Sequence, residues 1–466
     1  MGHCNLLRPV SLRLEGPSMD DLLMETAATA SNYLARLRTR RVAPLAEEVD
    51  ELDLFASQLP QDGLDPSRVI ALLDRAGSPA TVASAGGRYF GFIVGSALPA
   101  ALAADWLTSA WDQNGAMTVM SPVAARLEQI SVEWVREIFG LPAGCQGALV
   151  TGDTMANLTC LASARQAVLS RVGWDVRRQG FQAAPQVTVV VGEEVHVSVL
   201  KALSILGFSL DGLVRVPVDE QGRMRADRIP PLRGPAIVCA QAGNVNSGSF
   251  DPVGEVCDLA HNAGAWVHVD GAFGLWARAS PRLRSLAEGS ERADSWATDC
   301  HKWLNVPYDC GIAFVRDPHA LRAAMSTPAA AYLAGTNSSE PMDAVPEMSR
   351  RARGIACWAA LRSLGRTGLA ALIERTCGFA QTFAARLREA GFSILNDVAL
   401  NQVLVSFGDA AKTLRVVTEV QNEGTLWAGS TVWHGTTAMR ISVSSWATTE
   451  QDVDASIEAI LRIACR

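Results

Sequence analysis

Only three of the 41 lysine and arginine residues in this 466-residue chain are lysines: Lys201, Lys302 and Lys412. Chemistry that needs an amine therefore has three candidates, and Lys302 has the most distinctive surroundings. It stands in SWATDCHKWLNVPYDCG (295–311), after a short β-like run and between His301 and Trp303. A desolvated lysine has a lowered pKa and attacks carbonyl groups. A surface lysine with its stem laid over a neighbour fits the same letters. In HVDGAFG (268–274), Asp270 ends an apolar run, where a carboxylate needs a cation or solvent, or else caps the next turn. VTGDTMANLTCL (150–161) places Gly152 and Thr154 at the start of a helix. Backbone N–H groups at a helix N-terminus, together with a hydroxyl, suit a phosphate. Asp153 opposes that use unless its side chain turns away. In GEEVHVSVLKA (192–202), His196 follows a strand-like run, where an imidazole can stack on a flat ring or open a helix within a polar network.

These residues need a scaffold that brings them together. Short β-branched runs occur at 186–192, 213–219, 236–243, 265–272 and 311–317. Between several of them lie the helix-like stretches VHVSVLKALSILG, VGEVCDLAHNAG and PRLRSLAEG. Strand–helix repetition predicts an α/β unit with a mostly parallel sheet, and ligands in such sheets sit at the carboxyl ends of the strands. Asp270 and Lys302 both end such runs, separated by about one strand–helix–strand unit, which puts them on one edge. An anion for a pyridinium nitrogen and an amine for a Schiff base are the two protein groups that a pyridoxal phosphate site requires.

Residues 1 to about 85 read as helical. MDDLLMETAATASNYLARLRTR has apolar positions at helical spacing, and DPSRVIALLDRAG has Asp65 as cap, Pro66 at its first position and Gly77 as stop. This stretch carries too little apolar surface for a core of its own and is expected to pack on something else, such as a partner subunit. After about 350 come the long amphipathic helices SRRARGIACWAALRSLG and LAALIERTCGFAQTFAARLREAG. A smaller α+β region follows, with the strand-like FSILND, NQVLVSFG and AMRISVSS and the closing helix DVDASIEAILRIA. The expected division is a helical segment over 1–85, a large α/β domain over 86–370 and a small domain over 371–466.

The composition, 48% hydrophobic and 19% charged, fits a globular chain with a large core and excludes a disordered one. A net charge of −7 argues against nucleic-acid binding as the main function. The N-terminus lacks an apolar run before a small-residue cleavage site, and the apolar stretch Phe92–Trp111 is interrupted by Pro99 and Asp105. Neither a secretory signal nor a membrane span is therefore expected. Ten scattered cysteines with no C-x-x-C pair, and no ligand set at zinc spacing, predict free thiols, a cytosolic setting and no metal.

HVDGAFG, DCHKWLNVPYDCG, TGDTMANL and EEVHVSVLKA, in their order and spacing, resemble the pyridoxal-phosphate-dependent group II amino-acid decarboxylases, which include aromatic-L-amino-acid and glutamate decarboxylases. The likeness runs from about residue 20 to the end and includes RYFGFIVGSALPAALAADWLTSAWDQN and AMRISVSSWATTEQDVD. It implies an aspartate-aminotransferase-type fold, the cofactor pyridoxal 5′-phosphate and homodimers with interfacial sites. Residue by residue, Lys302 resembles the Schiff-base lysine and Asp270 the partner of the ring nitrogen. Ala272 and His196 match the residues on the two ring faces. Gly152, Asp153 and Thr154 match the phosphate loop, with Asp299 and His301 on its second side and Asn246 near the ring hydroxyl. Tyr332, in MSTPAAAYLAG (325–335), matches the loop tyrosine that protonates the substrate carbon once carbon dioxide has left.

The resemblance implies decarboxylation of an L-amino acid to its amine. The segment matching the family's pocket wall, Phe90, Phe92 and Ile93, is apolar and carries no cation for a side-chain carboxylate. Aromatic or large apolar substrates are therefore expected over acidic ones. The alternatives are an aliphatic or acidic amino acid, or decarboxylating aldehyde synthesis. Asn114 and Ala116 match a wall supplied by the partner subunit, and Ser349 matches a position where serine accompanies phenolic substrates. Arg440 could meet the substrate carboxylate or a structural partner. Two positions depart from the family pattern: Asp153, where small residues are usual, and His434, where arginine is common.

Overall fold

The computed structural model describes residues 18–56, 58–326 and 340–466. It divides into two compact units, Met1–Ala83 and Ser84–Arg466.

In the first unit, helix α1 (Met19–Arg36) is capped by Ser18, whose hydroxyl accepts from the Asp21 N–H. Helix α2 (Pro66–Leu72) is capped by Asp65 and starts on Pro66. Neither helix buries a residue. Gly77 does not stop the second helix: its backbone is helical (φ −81°), a π-helical turn carries the chain through it, and Thr81 is the first extended residue. A glycine ends a helix only where it takes up the left-handed conformation, and here it does not.

In the second unit the strands are β1 (Gln146–Val150), β2 (Thr188–Gly192), β3 (Val214–Val216), β4 (Ala236–Gln241), β5 (Trp266–Asp270), β6 (Ser295–Asp299) and β7 (Gly311–Val315). They form one sheet in the order β1-β7-β6-β5-β4-β2-β3. The pairs from β6 through β3 are parallel, whereas β7 runs antiparallel to both its neighbours. Side chains alternate between two cores. Leu149, Val190, Val238, Val267, Trp296 and Phe314 enter one, and Val150, Val191, Ile237, Ala297 and Ala313 enter the other. Two covered faces explain why these strands read as continuous apolar runs.

The helices of this unit are α3 (Pro99–Trp111), α4 (Pro122–Phe139), α5 (Asp153–Ser170), α6 (Val197–Ile205), α7 (Val253–Asn262), α8 (Pro318–Met325), α9 (Gly354–Glu389), α10 (Ala410–Glu423) and α11 (Glu450–Ala464). Helix α5 packs on β6 and β7 and against α6 and α8. The two long helices expected after 350 are present end to end within α9 and meet at a kink at Gly365, whose φ of 60° and ψ of −178° are not helical. PRLRSLAEG forms no α-helix but a short 3₁₀ turn over Arg284–Ala287.

A second sheet pairs β8 (Ser393–Ile394), β9 (Gln402–Ser406), β10 (Gly429–Trp433) and β11 (Thr436–Ser442) in the antiparallel order β10-β11-β9-β8. Its core unites Phe379, Phe383 and Leu387 of α9 with Val416, Val420, Ile457 and Ile460 of α10 and α11. No described helix is long and apolar enough to cross a membrane. The architecture is α/β, with a mostly parallel large sheet and a small antiparallel one, in line with the aspartate-aminotransferase-type fold that the resemblance implies.

Candidate functional site

The site lies at the carboxyl ends of β5 and β6 and at the first turn of α5, the edge that the strand–helix pattern selects. Asp270 is the last residue of β5 and is 5% exposed. Its Oδ1 accepts from the Ala272 N–H at 3.2 Å. Burial, and then the charge of Asp153, push its carboxyl up to about 7. Asp299 ends β6 and is 2% exposed, and its Oδ2 lies 3.2 Å from Lys302 Nζ. Burial opposes the Lys302 ammonium, yet the carboxylates of Asp299, Asp153 and Asp270 together hold its pKa above the usual lysine value. Lys302 is thus a stored cation in a ring of three buried acids.

The loop that carries Lys302 is pinned by Asn305. This residue has a left-handed backbone (φ 56°), a conformation that asparagine tolerates better than most residues. Its side-chain amide donates to the carbonyls of Lys302, Trp303 and Ser444, and its Oδ1 accepts from the N–H groups of Ser96 and Trp446. Gly95 packs so closely on this loop that a Cβ there would collide with the Lys302 carbonyl.

At the head of α5, Gly152 leaves a small hollow: a Cβ there would lie 3.2 Å from His301 Cε1 and 3.4 Å from Asp299 Oδ1. The Asp153 N–H donates to Asp299 Oδ1 at 2.7 Å, and Thr154 lies in the same first turn. The Asp153 side chain turns inward. Its Oδ2 accepts from Asn157 Nδ2 at 2.8 Å and from Ser198 Oγ at 3.1 Å, while its Oδ1 is buried without a partner. Burial and the Asp299 charge push its carboxyl up to about 7.

His196 caps α6, with Nδ1 2.8 Å from Ser198 Oγ, and burial holds its pKa below the usual histidine value. Donor atoms of Asp153, His196 and Asp270 lie within 4.8 Å of one another, close enough to share a cation. Their sequence positions carry no metal-binding spacing. His301 is brought down to about 4, chiefly by burial. Its Nδ1 accepts from the Cys310 N–H and its ring lies 4.3 Å from that of Tyr308. Asn246 Oδ1 accepts from Thr431 Oγ1 at 3.0 Å and from Arg440 Nη1 at 3.2 Å. Arg440 has no carboxylate partner among the described residues.

The expected pocket wall divides. Phe90 is fully buried in the core of the small sheet, edge-on to Phe383 at 5.1 Å, so it packs that core and does not line a pocket. Ile93 is also enclosed, at 1% exposure, in the core of the large sheet. Phe92, between them, is 61% exposed and lies 5.2 Å from the Trp427 ring. Left-handed backbone at both Phe92 and Ile93 (φ 52° and 58°) breaks the alternation an extended run would show. Asn114 Oδ1 accepts from the Ala116 and Arg350 N–H groups, Ala116 is buried, and Ser349 is exposed. Tyr332 lies outside the described residues.

Three contributors escaped sequence reading. Asn157 and Ser198 hold the Asp153 carboxylate, and His268 Nε2 meets Asn157 Oδ1 at 2.8 Å. Two of them carried a signal, because Asn157 follows Asp153 by one helical turn and His268 shares a strand face with Asp270.

These groups fit pyridoxal phosphate in kind: an amine, a buried carboxylate, an imidazole, and a helix N-terminus beside a hollow that a Cβ would fill. The pyridoxal-dependent decarboxylase conserved domain matches residues 85–408. The chain is 30% identical to tryptophan decarboxylase 1 of Oryza sativa subsp. japonica over 414 residues, covering 80% of this chain and 79% of that protein. It is 30% identical to L-2,4-diaminobutyrate decarboxylase of Rhizobium meliloti over 384 residues, covering 77% and 74%. The crystal structure of Oryza sativa TDC with PLP and tryptamine superposes with a TM-score of 0.88 at 24% identity, over 98% of this chain and 99% of that one. The match over more than half its length makes this chain a member of the pyridoxal-dependent decarboxylase family, a carboxy-lyase that acts on an amino acid with pyridoxal phosphate as its cofactor.

Proposed function

We propose that this enzyme decarboxylates an aromatic L-amino acid to its amine, with Lys302 as the covalent anchor of the cofactor. The observation that carries the substrate class is the wall beside the lysine loop. The segment Phe90–Gly95 contains no charged residue and touches the Lys302 backbone at Gly95. It exposes Phe92 against Trp427, which is itself stacked on Tyr89 at 5.1 Å. An aromatic side chain finds flat apolar partners there, and a side-chain carboxylate finds no cation on that segment.

When bound, the cofactor's protonated ring supplies the electron sink at the substrate α-carbon. The protein's residues do the rest. Asp270 holds the proton on the ring nitrogen through its buried carboxylate. His196 and Ala272 would confine the two ring faces. The first turn of α5, at Gly152, Asp153 and Thr154, holds the phosphate with Asp299 and His301 on its far side. Asn246 would meet the ring hydroxyl. Arg440, free of any described carboxylate, is suited to orient the substrate's α-carboxylate for cleavage. Tyr332 delivers the proton to the α-carbon as general acid. A cytosolic homodimer with interfacial sites completes the reading: Asn114 and Ala116 contribute substrate contacts across the interface, and Ser349 bears on which ring is accepted. The division 1–85, 86–370 and 371–466 then separates partner-packing, cofactor-binding and small domains. A second reading, an aliphatic amino acid on the same scaffold, draws on the diaminobutyrate-decarboxylating relative.

The test is a screen of the common amino acids and 2,4-diaminobutyrate with added cofactor, reading amine and aldehyde by mass. Aromatic amines are expected to dominate, and Tyr332→Phe should shift product towards aldehyde. Faster turnover of diaminobutyrate or glutamate would overturn the aromatic reading. Unchanged amine yield in the Tyr332 variant would remove that residue as proton donor.

A further inference from the structure

Three carboxyl groups, Asp153, Asp270 and Asp299, are buried together, with Lys302 as the one ammonium set among them. The groups facing Asp153 come from every element around it. Asn157 and Cys160 lie on its own helix. Asp299, at the end of β6, accepts its N–H and also touches His301 Nε2 at 3.4 Å. Asp270, at the end of β5, and His196, at the start of α6, place donor atoms within 4.8 Å. Ser198 of α6 donates to its Oδ2. The Lys302 charge acts on it from the lysine loop. Both imidazoles are held on the neutral side by burial and contribute no positive charge. Among the described residues, Asp153 Oδ1 is the buried side-chain oxygen at the site left without a partner.

Resting on the reading that α5 holds the phosphate and Lys302 the aldehyde, we propose that Asp153 is a proton-carrying carboxyl of the cofactor pocket. It is a neutral acid when pyridoxal phosphate is bound and ionises when the pocket is open, so cofactor binding takes up one proton at this side chain. Two changes on binding act in the same direction, against the positive charge that a protonated ring nitrogen would bring to Asp270. A phosphate ester brings about −1.5 to −2 charges to the helix turn that carries Asp153. Lys302, once committed to the cofactor, no longer stands beside Asp153 as a free ammonium. Either change disfavours a charged Asp153. A neutral carboxyl also leaves less charge on an Oδ1 that is buried without a partner. With the open-pocket carboxyl at about 7, the uptake is felt above that pH. There the binding-competent neutral form becomes the minor one, and affinity falls as pH rises.

The experiment compares wild type, Asp153→Asn and Asp153→Ala as apo proteins, measuring the dissociation constant of pyridoxal phosphate from about pH 6 to about pH 9. The ratio of wild-type to variant constant should be close to one below pH 7 and rise about tenfold per pH unit above about 7. Parallel pH profiles would overturn the proposal. So would folded variants that bind no cofactor at any pH, because Asp153 would then be needed as an anion. Infrared difference spectra of wild type with isotope-labelled aspartate give a reading independent of the variants. Cofactor addition above neutral pH should produce the carbonyl stretch of a protonated carboxyl, and its absence refutes the uptake. Borohydride reduction and peptide mapping separate this idea from its foundation. Label away from Lys302 defeats the anchor assignment, whereas label on Lys302 with parallel pH profiles defeats the Asp153 role alone.

Discussion

Arg350→Met should destabilise the protein severely and weaken its hold on the cofactor from a distance. The Arg350 side chain is 1% exposed and pairs with Glu128, itself 10% exposed. The same guanidinium donates to the Leu149 carbonyl at 2.6 Å and the Gly115 carbonyl at 3.0 Å, while Glu128 Oε1 accepts the Leu149 N–H. One ion pair therefore ties α4, the end of β1 and the Asn114–Ala116 turn. Removing one partner of a buried pair costs about 3–5 kcal/mol, because the other charge stays buried without compensation. The two carbonyls lose charged donors worth about 1–3 kcal/mol each, part of which local water recovers. A net loss of about 4–6 kcal/mol is expected, measured by urea unfolding of the apo protein near neutral pH. Glu128→Leu combined with Arg350→Met should regain most of it, because an apolar pair leaves no buried charge. β1 leads directly into the Gly152 turn, so the single variant should also bind cofactor more weakly. A loss below about 1 kcal/mol, or a double variant no more stable than the single one, would refute this reasoning.

His268 is buried between Asn157 and Ser295, and burial takes its pKa down to about 3. The unfolded chain binds a proton that the folded state refuses, so wild-type stability is lost as pH falls from about 6.5 towards 3. His268→Gln should escape this, gaining on wild type by about 1.4 kcal/mol per pH unit across that window in urea titrations; a constant difference would contradict it. Gly274→Ala places a Cβ inside contact distance of the Ala242 carbonyl and should lower the melting temperature and cofactor occupancy together; an unchanged melting curve would show the backbone there to be slack. Asn305→Ala removes five hydrogen bonds around the lysine loop and puts alanine at a φ of 56°. It should cost about 3–5 kcal/mol and slow cofactor trapping by borohydride, a combination that equal trapping rates would refute.

Asp270 was legible because it ends an apolar run and Lys302 because it follows the next β-like run, although 3₁₀ turns and no α-helix connect the two strands. Strand direction leaves no such trace. β7 has the same composition as a parallel strand, and only the sheet reveals it as antiparallel to β1 and β6. Phe90 and Phe92 look alike in the chain, yet left-handed backbone at Phe92 sends one inward and the other out. Asp153 was visible as an oddity, but its inward turn depends on Ser198, which arrives from a distant helix. Gly77 could not reveal that it stays helical, since glycine permits both outcomes.

A Cβ on Gly311 would lie 2.7 Å from the Cα of Gly152, so the strand returning from the lysine loop touches the turn before α5 bare backbone to bare backbone. The two halves of the cofactor's berth are thereby seamed together with no side chain to act as a cushion. Thermal breathing at one half must displace the other. Amide exchange along β1 and β7 should therefore rise and fall in concert when ligand enters or leaves, and a bulky residue at either glycine would pry both halves apart at once.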